Sequence, residues 1–335
     1  MGIDLPLVWA VIILFSIMMY VVMDGFDLGI GMLFPWFPDK QYRDVMVNTV
    51  APVWDGNETW LVLGGAGLMA AFPLAYSLVL TALYLPLMLM LVGLILRGVA
   101  FEFRSKTPPG ERRIWDASFA LGSFAAAFFQ GVTLGAFLDG IRMRDGQFAG
   151  SALDWLAPFP LFTGLGLVVA YMLLGSTWLI MKTDGWLQHE MRKRTRHWVW
   201  ALLAEIVVIS IWTPLAHPQI AARWFTLPNL LYLAPVPVLV CVVMYFLLRA
   251  LRHGADVAPF LLTLALVFLG YSGLGISLWP NVIPPSTTIW QAAGPPESLG
   301  FTLVGALLII PVILMYTGLS YWVFRGKVGA DDGYH

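Results

Sequence analysis

Apolar residues run along this chain in long blocks broken by short polar connections. One helix needs about twenty such residues to cross a bilayer. The blocks that qualify are 7–33, 55–74, 77–101, 115–138, 158–181, 197–216, 225–249, 257–279 and 300–324. They predict an all-α polytopic membrane protein with nine transmembrane helices. The second and third blocks are separated only around Phe72-Pro73-Leu74, which predicts a tight hairpin. The second opens weakly and carries Gly64-Gly65-Ala66-Gly67, so counts of eight and ten stay compatible with the pattern.

Composition agrees with this reading. The chain is 59% hydrophobic and 12% charged, with a mean hydropathy of +0.79, whereas a soluble domain is about half apolar. A formal charge of -1 offers no basic surface for nucleic acid. The single cysteine, Cys241, excludes an internal disulfide and an all-cysteine metal site, and reads as a small apolar residue. No basic run precedes the first block, which carries Asp4 ahead of it, so that block reads as a retained helix rather than a cleaved leader.

Charge sets an orientation. Of the 19 Lys and Arg residues, only Arg142, Arg144 and Arg223 fall on one side, and the other 16 fall on the opposite side. With an odd number of spans this places the N-terminus outside and the C-terminus in the cytoplasm. Tryptophans such as Trp36, Trp54, Trp115, Trp198 and Trp322 cluster near block ends, as expected of an interfacial belt. The connection at 182–197 holds Arg192-Lys193-Arg194-Thr195-Arg196 and reads as an anchor to anionic lipid. It divides the chain into a first bundle with an extra segment (1–181) and a second bundle with a C-terminal helix (182–335). The outer connection at 280–299 is proline-rich and has no basic residue. No repeat relates the halves.

The polar residues inside the blocks carry the chemistry, because carboxylates in a bilayer mark ion or proton routes. Asp24 and Asp27 are three apart and share a helix face with Gly31. Asp55 and Glu58 repeat the spacing at the inner end of block two. Four carboxylates are therefore expected to converge near the cytoplasmic face, where burial and like charge favour groups that change protonation near neutral pH. Gly25, Gly29 and Gly31 allow a neighbouring backbone to approach closely. The bland alternative is structural: Asp55 caps its helix, and Asp24 or Asp27 pairs with Arg97 or Arg104. Glu102 beside Arg104 reads as an interfacial ion pair, and Asp116 as a helix-start charge. The five histidines, His189, His197, His217, His253 and His335, fall in loops or at block ends, so none is a mid-membrane haem ligand. No phosphate-binding or nucleophile motif is present.

Several blocks together resemble subunit II of the cytochrome bd-type quinol oxidases. They are Asp24-Gly25-Phe26-Asp27-Leu28-Gly29-Ile30-Gly31-Met32, Ala51-Pro52-Val53-Trp54-Asp55-Gly56-Asn57, and Phe101-Glu102-Phe103-Arg104-Ser105-Lys106. Trp115-Asp116, Gly122-Ser123-Phe124, Pro285-Ser286-Thr287, Tyr316-Thr317 and Tyr321-Trp322 extend the match over nearly the whole chain. The short length resembles the cyanide-insensitive branch. Trp290-Gln291 stands where other members carry Trp-Asp, and Glu58 where some carry Gln, which makes Glu58 the least favoured of the four carboxylates.

The resemblance implies two four-helix bundles plus one peripheral helix, paired in a bacterial cytoplasmic membrane with a similarly folded subunit I. It implies that subunit I holds the haems (two b-type plus a d-type or b-type) and the quinol-oxidising loop, while this chain ligates none. The complex would oxidise quinol, reduce dioxygen to water and draw protons from the cytoplasm, with Asp55 at the entrance and Asp24 and Asp27 in support. A bound quinone or lipid in this subunit, and small single-helix subunits beside it, are compatible with that picture. Two other readings stay open: a pure assembly scaffold pinned through Arg97 and Arg104, and an ion-coupled transporter. The missing inverted repeat speaks against the transporter.

Overall fold

A computed structural model describes residues 2–108, 110–144 and 146–329; His335 lies outside them. The described residues form helices α1 (Leu5–Leu33), α2 (Lys40–Asn48), α3 (Trp54–Ala71), α4 (Pro73–Lys106), α5 (Arg113–Asp139), α6 (Pro158–Lys182) and α7 (Gly185–Ala216). They continue with α8 (Pro218–Phe225), α9 (Asn229–Leu233), α10 (Pro235–Arg252), α11 (Ala258–Leu278), α12 (Ile289–Ala292) and α13 (Pro296–Val323). Two small antiparallel hairpins complete the structure: β1 (Met143–Arg144) with β2 (Gln147–Phe148), and β3 (Asn281–Ile283) with β4 (Thr287–Thr288).

Among the described residues, 8 helical stretches are long and apolar enough to cross a membrane. Block two of the sequence pattern is α3, which has 18 residues but carries Trp54-Asp55-Gly56-Asn57-Glu58 in its first turns and stands apart from those 8. The long helices alternate in direction. The chain therefore has one end rich in Lys and Arg, called the basic end below, and an opposite end where α1 starts and α5 finishes.

The break between α3 and α4 is one residue, Phe72 (φ -130°, ψ 64°), because Pro73 disfavours helical geometry in the residue before it. The expected tight hairpin diverges all the same. α3 packs chiefly on α1, and α4 on α5. α4 is kinked near Leu83, ahead of Pro86, whose ring and missing N–H interrupt the helix.

Other boundaries differ from the hydropathy pattern. The polar connection expected at 182–197 is mostly helix: α7 starts at Gly185, so the basic run and both His189 and His197 lie on its first turns. The single helix expected over 225–249 is split by Pro228 and Pro235 into α9 and α10. In the outer connection, Gln291 forms a reciprocal capping box with Thr288 at the start of α12. An amide serves there without any acidic function.

The core lies between α1, α5 and α6. Gly29 of α1 and Gly175 of α6 face each other so closely that a Cβ at Gly29 would overlap the Tyr171 carbonyl, and one at Gly175 would stand 2.6 Å from the Gly29 carbonyl carbon. Such contact brings two backbones together and fixes the depth of α1. Phe26 stacks on Trp178 with centroids 4.2 Å apart, and meets Phe260 and Tyr321 edge-on.

Candidate functional site

Close packing of α1 carries two carboxylates into the bundle. Asp24 and Asp27 sit two turns before the end of α1, on the face turned to α3 and α4, and both are 0% exposed. Arg97 on α4, equally buried, reaches them at the same depth. Its Nη2 pairs with Asp24 Oδ1 and also lies 3.0 Å from Glu58 Oε1 on α3. The guanidinium stands 5.4 Å from the Trp54 ring centroid, and Trp54 itself stacks on Phe101, so an aromatic face supports the charge where water is excluded.

Asp27 takes a different partner. Asn57 Nδ2 donates to Asp27 Oδ2 at 2.7 Å and to the Met23 carbonyl at 3.2 Å. Tyr321 on α13 donates its hydroxyl to Asn57 Oδ1 at 2.9 Å. The amide therefore ties α1, α3 and α13 together. Beside this junction a water-sized cavity of about 10 Å³ touches Val53, Gly56, Asn57 and Tyr316.

Several buried atoms around these pairs lack a hydrogen-bond partner: Asp24 Oδ2, Asp27 Oδ1, Arg97 Nε and Nη1, and the Tyr20 and Tyr171 hydroxyls. Each such atom costs about 1–3 kcal/mol if nothing satisfies it. Their clustering at one place marks a polar interior in a bundle that is otherwise apolar.

The site thus gathers three of the four expected carboxylates. Asp24 and Glu58 meet one guanidinium, and Asp27 lies beside them on Asn57. Asp55 does not join them: it is exposed in the first turn of α3, and no side chain caps that helix, whose N-cap is Val53. Asp55 stands in the first turn of α3, whereas Glu58, one turn further into the helix, is turned to the interior, with 31% of its side chain exposed.

Arg104 serves elsewhere. It lies two turns beyond Arg97, at the level of the basic end, where its Nε pairs with Asp116 at 2.7 Å and its Nη1 with Asp44 at 2.7 Å. Arg43 on α2 closes the network through Asp116 Oδ2 at 2.8 Å. Asp116 is therefore more than a helix-start charge. The expected pairing of Glu102 with Arg104 does not occur; Glu102 meets Lys106 one turn on, at 3.3 Å.

Tyr20 and Tyr171 carry no signal in the sequence pattern, although Tyr20 lies one turn from Asp24 on the same face. Glu205, inside α7 with Oε2 buried and unpartnered, also went unread despite being an intramembrane carboxylate. Among the described residues no group of three or more His, Cys, Asp and Glu is placed to hold a metal ion. His217 lies 3.2 Å from Asp139, and His253 Nδ1 lies 2.8 Å from the Arg249 carbonyl.

A family model described as cytochrome bd terminal oxidase subunit II matches residues 5–324. Cytochrome bd-I ubiquinol oxidase subunit 2 of Escherichia coli (strain K12) is 28% identical over 367 residues, covering 98% of this chain and 96% of that protein. Cytochrome bd ubiquinol oxidase subunit 2 of Bacillus subtilis (strain 168) is 27% identical over 335 residues, covering 97% of each. In fold, the chain is similar to a chain of the bd oxidase from Geobacillus thermodenitrificans, with a TM-score of 0.78 at 17% identity over 95% of this chain and 98% of that one.

Proposed function

The chain belongs to the family of subunit II of the cytochrome bd terminal oxidases, and from that membership we propose that its buried carboxylate site moves protons toward a partner subunit that carries out the redox chemistry. The chain is a membrane-spanning subunit of a quinol oxidase complex. On this reading, the partner is subunit I, which holds the haems and uses the protons to reduce dioxygen to water. The basic end faces the cytoplasm, as the distribution of Lys and Arg favours, and the electron donor is a ubiquinol, as in the Escherichia coli relative.

One observation carries the proposal: Asp24 and Glu58 share a single guanidinium, Asp27 stands one turn from Asp24 bonded to Asn57, and the two aspartates have no exposed surface. An excess of negative charge sealed in an apolar bundle is expensive, so such a cluster binds protons and can pass them on. Asp55 and Glu58 form the approach from the basic end. Arg97 holds Asp24 in place beyond them. Internal water on the unpartnered oxygens of Asp24 and Asp27 and on the Tyr20 hydroxyl would complete a relay.

A scaffold reading is favoured by the same ion pair, since Arg97–Asp24 ties α4 to α1. Asp27→Asn separates the two. The amide keeps the size of the side chain and its contact with Asn57 but cannot carry a proton. The proton route predicts an assembled complex with an unchanged haem spectrum and slower oxygen consumption per haem. Unchanged turnover per haem, with a lower yield of complex, leaves only the scaffold.

A further inference from the structure

At the end of the bundle opposite the basic loops, a cavity of about 240 Å³ opens between the last turns of α5 and α7, the start of α8 and the end of α11. With liquid water at about 30 Å³ per molecule, it is sized for a small polar group rather than a lone ion. Its charged wall is mixed. Asp139, the last residue of α5, holds His217 at 3.2 Å. Arg223 of α8 also lines the cavity, and its Nη1 donates to the Ile276 carbonyl at 3.1 Å. A guanidinium has five donors, so most of them remain for another acceptor.

An anion alone would meet Asp139, and a cation alone would meet Arg223. A group carrying both charges satisfies both walls. The cavity lies where helices end, the depth at which lipid headgroups sit. Apolar side chains suited to acyl chains flank the lining residues in the chain: Leu215 beside Ala216, and Phe225 and Leu227 just after Arg223, are 77%, 62% and 73% exposed. Trp224, hydrogen-bonded to Ser277 at 2.9 Å, keeps α8 against α11, as an interfacial helix with an apolar side does.

We propose that this cavity binds the headgroup of an amino-phospholipid, with phosphate at Arg223 and a primary ammonium at Asp139. The site is separate from the carboxylate cluster and does not depend on proton transfer there. A quaternary ammonium has no N–H to donate to Asp139, so the chemistry selects phosphatidylethanolamine over phosphatidylcholine. Phosphatidylglycerol, lacking the cation, brings no ammonium to Asp139.

The test uses the delipidated oxidase complex, equilibrated with vesicles of each of the three lipids and read by native mass spectrometry for retained lipid. Phosphatidylethanolamine should be retained about tenfold better than the other two, equivalent to about 1.4 kcal/mol. Asp139→Asn should erase the preference over phosphatidylcholine while keeping retention, and Arg223→Gln should lower retention of all three. Should either variant fail to assemble, wild-type complex is challenged with soluble phosphoethanolamine and with inorganic phosphate, and only the former should displace the lipid. Equal retention of the three lipids by the wild type would overturn the proposal. So would displacement by inorganic phosphate at the same concentration, since the cavity would then be a free-anion site.

Discussion

Arg97 on α4 and Asp24 on α1 form an ion pair in which neither side chain has exposed surface. Removing one member of a buried pair costs about 3–5 kcal/mol, because the other is left charged and unpaired. Arg97→Gln should therefore lower the thermal midpoint and the yield of the complex sharply. Asp24→Asn combined with Arg97→Gln should be milder than Arg97→Gln alone, because it removes the orphaned charge. A double variant no more stable than the single one would mean that Arg97 acts through Glu58 and Trp54 instead.

Asp55 stands exposed one turn before Glu58, in the first turn of α3. If it collects protons, Asp55→Asn should slow oxygen consumption per haem about threefold, under 1 kcal/mol of barrier. The deficit should shrink at lower pH, where bulk protons reach Glu58 unaided. Glu58→Gln should slow turnover more, since it removes a carboxylate bonded to Arg97. Identical pH–rate profiles for wild type and Asp55→Asn would take Asp55 out of the route.

Much of this architecture is legible in the residues, and the misses have physical reasons. α1, α6 and α11 are predominantly apolar over their full length, so their limits fall within a few residues of the hydropathy pattern. α7 extends well before its apolar block, because a charged helical turn outside the bilayer has the same composition as a loop. The split at Pro228 and Pro235 was hidden by the apolar residues around it. Asp24 could be assigned Arg97 or Arg104 from sequence. Depth decides between them: Arg97 is level with Asp24, while Arg104 is level with Asp44 and Asp116 at the basic end. The role of Asn57 needed the fold, because its partners Asp27 and Tyr321 are 30 and 264 positions away.

The depth of α1 against α6 rests on Gly29, where any side chain would meet the Tyr171 carbonyl. Overpacking a tight contact costs about 1–3 kcal/mol, and here it would also push Tyr171 away from the carboxylates. Gly29→Val should cut the yield of complex and reduce activity per haem in what remains. Gly65→Ala, where a Cβ meets nothing within 4 Å, should do neither. Equal behaviour of the two variants in a yield and turnover assay would show that the approach of α1 to α6 does not set the site.

The last pH-sensitive feature is a strap at the basic end. Beyond α13 the chain folds back so that Lys182 Nζ donates to the Phe324 carbonyl and, at 2.7 Å, to the Gly326 carbonyl, while Val328 N donates to the Lys182 carbonyl at 2.8 Å. Lys327 then pairs with Asp256 Oδ2 at 2.8 Å, and Arg192 with Oδ1 of the same carboxylate. The hydrogen bond from Lys327, together with the charges of Lys327 and Arg192, lowers the Asp256 pKa. A depressed folded-state value means that the contribution of Asp256 is present above the ordinary aspartate value of about 3.9 and is lost as pH falls through the lower folded one. Because the group is largely exposed, the effect is local and screened by salt. Hydrogen exchange at 326–328 should therefore stay slow near neutral pH, after correction for intrinsic rates, and accelerate only in acid. Asp256→Asn should show the fast exchange already at neutral pH. A variant that keeps wild-type protection at neutral pH would leave the strap held by Lys182 alone.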